Sequence, residues 1–227
     1  MSPPRAAAAL RRERERDLVA ATRALFDERG MLDAPIEEIA RAVGIARGLI
    51  YRQFSSKEEL FVLTVTNYLD ELEGLLGDAP TSSEGAPADV LAARIEIFAR
   101  FCLRYPAFQD NVLSLMHRPA KALHDIVSEA IWLRLGQGMA ACIDPLAQAL
   151  RAGVDDGTFT AVDDPEYTAN ILWTQTLGAM HLARIAVGVR RTGEGAPALF
   201  TVDPADVVAT CVASALASAG VSLRVRE

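Results

Sequence analysis

Apolar residues recur three and four positions apart along nearly the whole chain, and that period constrains the fold more than any other feature. A helix turns every ~3.6 residues while strand side chains alternate, so this spacing gives a helix one apolar face and a strand none. No stretch of strict alternation stands between hairpin turns, so the sequence predicts an all-α fold with no sheet. The stripes divide into about nine helices.

Leu18, Ala21, Leu25 and Phe26 form the first stripe, with Gly30 placed to cap it in the left-handed conformation. Ile36, Ile39, Ala40 and Val43 form a short second stripe that stops at Gly44. After Phe54, the run Ser55-Ser56-Lys57-Glu58-Glu59 sets a serine three residues before a glutamate in either of two registers. This capping box opens a helix into the 70s, which Gly74 and Gly77 weaken. Breakers crowd the span from Gly77 to Asp89, a loop inside the second domain, and helical patterns resume over 88–104, 107–117 and 121–152. After a turn at Asp155–Thr158, Asp164-Pro165 and Asp203-Pro204 each announce a helix, because Asp caps free N–H groups and Pro fits the first turn. The stretch from Gly188 to Pro197 between them reads as a Gly- and Arg-rich loop.

Cys102, Cys142 and Cys211 are far apart in apolar patterns and read as core residues. His117, His124 and His181 show no metal-ligand spacing, so no metal site is expected. No phosphate loop, nucleophile elbow or paired-carboxylate pattern appears, which argues against an enzyme and against a cofactor. Neither a signal peptide nor a membrane span is expected, which makes the cytoplasm the expected compartment. Net charge is −7, yet residues 1–66 carry eleven Lys and Arg against ten Asp and Glu, so the acidic excess lies beyond them. Up to Arg16 there are five arginines and two glutamates, either a basic arm for phosphates or a solvated terminus.

Two short helices joined by a Gly-containing turn make a helix-turn-helix, which presents its second helix to the major groove. Here the first runs from Pro35 to Val43, the turn is Gly44-Ile45-Ala46, and the second runs from Arg47 to Gln53. Ile45, Ile50 and Phe54 face the core, leaving Arg47, Gly48, Leu49 and Gln53 outward.

Ala21, Leu25-Phe26, Gly30, Ile39-Ala40, Gly44-Ile45, Gly48, Tyr51, Phe54, Lys57 and Leu60-Phe61 stand in the order and at the spacings of one family. In this quarter of the chain the sequence resembles the tetracycline-repressor-like (TetR/AcrR) regulators. The resemblance implies a DNA-binding domain at 1–65, and a helical ligand-binding and dimerisation domain at 66–227. It also implies double-stranded operator DNA, a homodimer and a small apolar effector as partners. Tyr51 and Lys57 would contact phosphate, Arg47 would read a base, Gly48 would admit the DNA backbone and Leu49 would meet a thymine methyl. Tyr51 as a packing residue and Arg47 as a solvated charge are the alternatives. Glu37, also outward, is either a cytosine acceptor or an exposed carboxylate. The chain departs from the family pattern where Pro35 follows Ala34 in place of a hydroxyl residue, where Ala46 replaces a capping Ser, and where Gln53 replaces a frequent His.

The eighth helix, about 165–187, is apolar nearly all round, so it needs cover from two directions. Tyr167, Ile171 and Gly178 on it, with Val208, Val212, Ala213 and Ala217 on the ninth, predict a four-helix dimer interface. Aromatic, Met and His side chains gather on helices five to eight, where the resemblance implies an inducer pocket. Its expected lining is Phe98, Phe101, Tyr105, Met116 and His117, with Trp132, Met139, Trp173, Leu177 and His181 beyond. Each aromatic read alone is ordinary core, and a filled second domain would instead mark a DNA-binding regulator that needs no ligand.

Overall fold

The computed structural model describes residues 3–29, 34–81, 85–117, 125–193 and 195–221. Its elements in chain order are α1 (Pro3–Arg29), α2 (Ile36–Val43), α3 (Arg47–Gln53), α4 (Lys57–Gly77), α5 (Pro87–Arg104) and α6 (Pro106–Met116). After these come α7 (Glu129–Asp155), α8 (Pro165–Ile185), strands β1 (Val187–Arg191) and β2 (Pro197–Thr201), and α9 (Pro204–Ser218). The fold is all-α apart from that hairpin. Among the described residues no helix is long and apolar enough to cross a membrane.

The described residues form two compact units. One lies within Met1–Asp70 and Tyr105–Gly138, the other within Glu71–Arg104 and Met139–Glu227. The packing units therefore do not divide at residue 65, because α6 packs on α1.

In the first unit Leu18, Phe26, Ile39, Ile50 and Leu60 lose essentially all exposure and close one core around α1 to α4. Phe26 meets Phe61 edge-on at 4.9 Å. Tyr68 packs against Phe108 of α6. Its hydroxyl donates to Asp27 Oδ1 at 2.6 Å, and burial pushes the phenol well above its usual range, so it stays a neutral donor.

The capping box at α4 settles into one register. Glu59 N–H donates to Ser56 Oγ at 3.1 Å, and the Glu59 carboxylate accepts from Ser55 N–H at 2.7 Å and from Ser128 N–H at 2.9 Å. Burial acts to raise the Glu59 pKa, but the hydrogen bonds from Ser128 and Ser55 outweigh it and leave the carboxyl below its ordinary value. Ser56 Oγ in turn donates to the Ile126 carbonyl at 3.1 Å.

These bonds correct one expectation. The helix expected over 121–152 starts at Glu129, with 125–127 in a turn, because Ser128 spends its N–H on Glu59 while its carbonyl accepts from Ile131 and Trp132. Residues 121–124, Gly30 and His124 lie outside the described residues.

In the second unit α5, α8 and α9 pack on one another. Asp164 accepts from Tyr167 N–H at 2.9 Å and Asp203 from Ala205 N–H at 2.8 Å, each followed by proline in the first turn, as the two Asp-Pro pairs predict. Cys102, Cys142 and Cys211 are free and buried.

The loop expected over 188–197 is instead an antiparallel hairpin in which Val187 pairs with Thr201, Val189 with Leu199 and Arg191 with Pro197. Its five-residue strands alternate too briefly to stand out in sequence. The usual signal, one buried face, is also weak, since Val189 and Leu199 remain 69% and 70% exposed. Gly188 is required where it stands, because a β-carbon there would meet the Phe200 ring at 2.3 Å.

Candidate nucleic-acid interface

Gly44 shapes the turn between α2 and α3. It sits at φ +73°, ψ +31°, a left-handed conformation that strains any residue bearing a β-carbon. Its N–H donates to the Arg41 carbonyl at 3.1 Å and Ile45 N–H donates to the Ala40 carbonyl at 2.9 Å, closing α2 with a Schellman motif. Ile50 and Phe54 then anchor α3 in the core, which fixes the opposite side of α3 to solvent.

On that side Arg47 and Gly48 are exposed and Tyr51 is 46% exposed, so Tyr51 is not the buried packing residue of the alternative reading. A β-carbon on Gly48 would touch nothing within 4 Å, so the α3 backbone stands open to a large partner. The Arg47 guanidinium lies 5.6 Å from the Tyr51 ring centroid and pairs with Glu37 of α2. Arg47 and Glu37, expected as separate outward charges, are thus one ion pair. Both side chains are more than half exposed, at 58% and 54%. An exposed pair contributes ~0–1 kcal/mol, whereas a bidentate guanine contact contributes ~1–3 kcal/mol, so the pair does not hold Arg47 back from a base.

Leu49 and Gln53 are half-buried, and Gln53 Nε2 donates to the Arg11 carbonyl at 3.3 Å. Lys57 places Nζ 4.7 Å from the Phe61 ring centroid at the start of α4. Pro35 and Ala46 precede α2 and α3 without a side-chain cap, so both helix starts keep N–H groups for another acceptor. The outward residues therefore share one surface built by α2, α3 and the first turn of α4. Arg11, Arg14 and Arg52, missing from the site residues expected from sequence, border it across a cleft next to α3.

The residues expected to hold an effector fall into both units. In the second, Phe98 stacks on Trp173 at 3.9 Å with an 11° tilt, and both are buried together with Phe101 and Leu177. Trp173 Nε1–H, deep in that unit, has no hydrogen-bond partner. Met139 is half-buried and His181 exposed. In the first unit Tyr105 tilts against Tyr68 at 5.5 Å, Trp132 is half-buried, and Met116 and His117 are exposed. Exposure on their own helices corrects the expectation of Met116, His117 and His181 as enclosed lining.

On α8, Tyr167, Ile171 and Gly178 are exposed, joined by Leu182 and Ile185. On α9, Val212 and Ala213 are half-buried and Ala217 exposed, but Val208 is only 4% exposed. Val208 belongs to the inner stripe of its own subunit, one turn away from the small-residue face. A groove of about 240 Å³ between α8 and α9 is lined by Leu172, Gln175, Ala179, Thr210 and Ser214, among others.

An all-α chain with this turn and this exposed second helix is a DNA-binding protein of the helix-turn-helix class. Residues 18–63 match the model of the bacterial regulatory proteins of the tetR family. The chain belongs to that family and is a transcriptional regulator.

It is 32% identical over 111 residues to the HTH-type transcriptional regulator HbdR of Aromatoleum sp. (strain CIB), an alignment covering 49% of this chain and 46% of that protein. It is 27% identical over 179 residues to the HTH-type transcriptional regulator BetI of Brucella suis, covering 69% of this chain and 90% of BetI. In fold it is similar to RolR in complex with resorcinol, with TM-score 0.65 and 20% identity over 95% of this chain and 91% of RolR.

Proposed function

We propose that the protein is a cytoplasmic repressor that binds a pseudo-palindromic operator as a homodimer and leaves it when a small, largely apolar ligand binds. The observation that carries the reading is the exposed flank of α3, where Arg47, Gly48 and Tyr51 stand clear of a core that fixes the helix from behind. In this reading residues 1–65 contact DNA and the rest dimerises and senses.

The dimer rests on the exposed apolar face of α8 and the small residues of α9. Val187, Val189 and Leu199 on one face of the hairpin add to the apolar surface that water otherwise meets. The effector rests on Trp173, whose buried indole N–H is an unused donor among apolar side chains and would anchor a ligand acceptor. RolR was solved with resorcinol, an aromatic molecule with two hydroxyls, which is the kind of ligand such a donor would hold.

Trp173 and Trp132 are the only tryptophans. Titration with small aromatic and apolar compounds should change their fluorescence over the same concentrations that release a genomic fragment selected by the protein. A coupling of ~1–3 kcal/mol would weaken DNA binding ~5- to 150-fold. The close Phe98–Trp173 stack favours a second reading, a regulator that needs no ligand. Fluorescence and DNA affinity unmoved across the compound set would select it.

A further inference from the structure

The N-terminal half of α1 has no packing role that accounts for it. The helix starts at Pro3, yet its first buried side chain is Leu18, and from Ala8 to Asp17 only Glu15 is even half-buried. Isolated helix of this length is marginal in water, so packing energy alone gives no reason for it. It is tied alongside α3 by the Gln53–Arg11 hydrogen bond, and Glu15 pairs with Arg134 at 3.2 Å.

Between α1 and α3 runs a cleft of about 360 Å³ lined by Leu10, Arg11, Arg14, Leu49, Arg52 and Gln53. Half of these residues are arginines and none is acidic. Among the described residues no ion pair involves Arg11, Arg14 or Arg52. The nearest acids are already committed, Glu15 to Arg134, and Glu59 to the Ser55 and Ser128 amides. Three guanidiniums converging without a counter-charge repel one another, and each gains when an anion with several oxygens enters. On α3 the cleft lies to the Leu49–Arg52–Gln53 side, while Arg47 and Tyr51 occupy the other flank.

We propose that this cleft seats the sugar-phosphate backbone of duplex DNA next to the bases that α3 faces, with Arg11 and Arg14 of α1 and Arg52 of α3 as its phosphate ligands. The inference rests on the DNA-binding reading of α3 and adds a second contact element, the N-terminal half of α1. A phosphodiester strand satisfies the cleft in charge, and its regular spacing suits arginines arrayed along two helices. Contacts of this kind position the protein without reading sequence.

The test is the salt dependence of binding to a random-sequence duplex by the full chain and its Arg11→Gln/Arg14→Gln variant, with circular dichroism to confirm helicity. Each phosphate contact contributes ~0.9 to the slope of log affinity against log salt, so the variant should lose about two units per subunit. Arg11→Lys/Arg14→Lys, which keeps the charge, should retain the slope. An unchanged slope in the glutamine variant, beside a shallower one in Lys57→Ala, overturns the inference and leaves the DNA-binding reading standing. Equal loss in the lysine and glutamine variants overturns it too, because a helix defect and not charge would then be the cause. A polyglutamate peptide that displaces duplex from wild type but not from the glutamine variant reassigns the cleft to an acidic peptide. If wild type binds neither random duplex nor any genomic fragment, the DNA-binding reading falls first and takes the cleft with it.

Discussion

The first unit exposes charge over a core that fixes it, while the second exposes apolar surface over a core that leaves a donor unused. In the first, Ile50 and Phe54 are buried so that Arg47 and Tyr51 must face water. In the second, α8 carries Trp173 and Leu177 inside and Tyr167, Ile171 and Leu182 outside, and Trp173 Nε1–H has no partner. A surface of charges over rigid packing suits a polyanion, whereas apolar side chains left in water suit another protein surface. The contrast teaches that one helical period serves two ends, set by what stands on the outer face.

The largest expected effect breaks the second half of the contrast. Ile171→Arg combined with Ala217→Arg places two cations on the exposed faces of α8 and α9, and should turn a dimer into a monomer in sedimentation while helicity stays intact. Operator binding should then vanish at concentrations that saturate wild type. A monomer that still binds a full operator with native affinity would remove these faces from the interface.

Next in size are the two cores. Phe26→Ala and Trp173→Ala each empty a fully enclosed aromatic site and should each cost ~3–5 kcal/mol. Their consequences should differ by unit. Phe26→Ala should abolish DNA binding, and Trp173→Ala should leave a folded α2–α3 surface that still binds random duplex. Equal loss of random-duplex binding in both would erase the contrast.

Smaller is the Glu59 clamp. Glu59→Ala strands the Ser55 and Ser128 amides and should destabilise by ~1–3 kcal/mol in urea melts at neutral pH. Because the folded-state pKa lies below the ordinary value, the carboxylate's contribution is complete above that value and fades as pH falls through it. Wild type should therefore lose stability on acidification from about pH 5 downward, and Glu59→Gln should show a flatter acid limb. An identical limb in both would separate Glu59 from the acid transition.

The two units also differ in how far the sequence revealed them. The helix-turn-helix was legible because each of its parts is enforced locally. Gly44 needs the left-handed turn, Ser56 and Glu59 cap α4 over three residues, and the buried stripe repeats at one period. The Asp164-Pro165 and Asp203-Pro204 starts were legible for the same reason.

The hairpin was not, since its strands show almost no buried face and Phe200 is accommodated only by the missing side chain of Gly188. Val208 and Val212 look alike in sequence, and only the packing of α9 among its neighbours sends one inward. The effector residues failed to sort for a related reason. Aromatic content marks burial as readily as a pocket, and neither Met116 nor His181 carries a local signal of its exposure. The Arg11–Arg14–Arg52 cleft depends on α1 running beside α3, a distance relation that spacing within either helix does not contain.

The central claim is that α3 reads DNA through its exposed flank, and Arg47 tests it most directly. Affinities of wild type and Arg47→Ala should be measured at one salt concentration, against a genomic fragment selected by wild type and against random duplex. Loss of ~1–3 kcal/mol on the selected fragment with little change on random DNA is the expected result. Equal affinity of the two proteins for the selected fragment would contradict the claim, because the residue that leads the exposed flank of α3 would then read nothing.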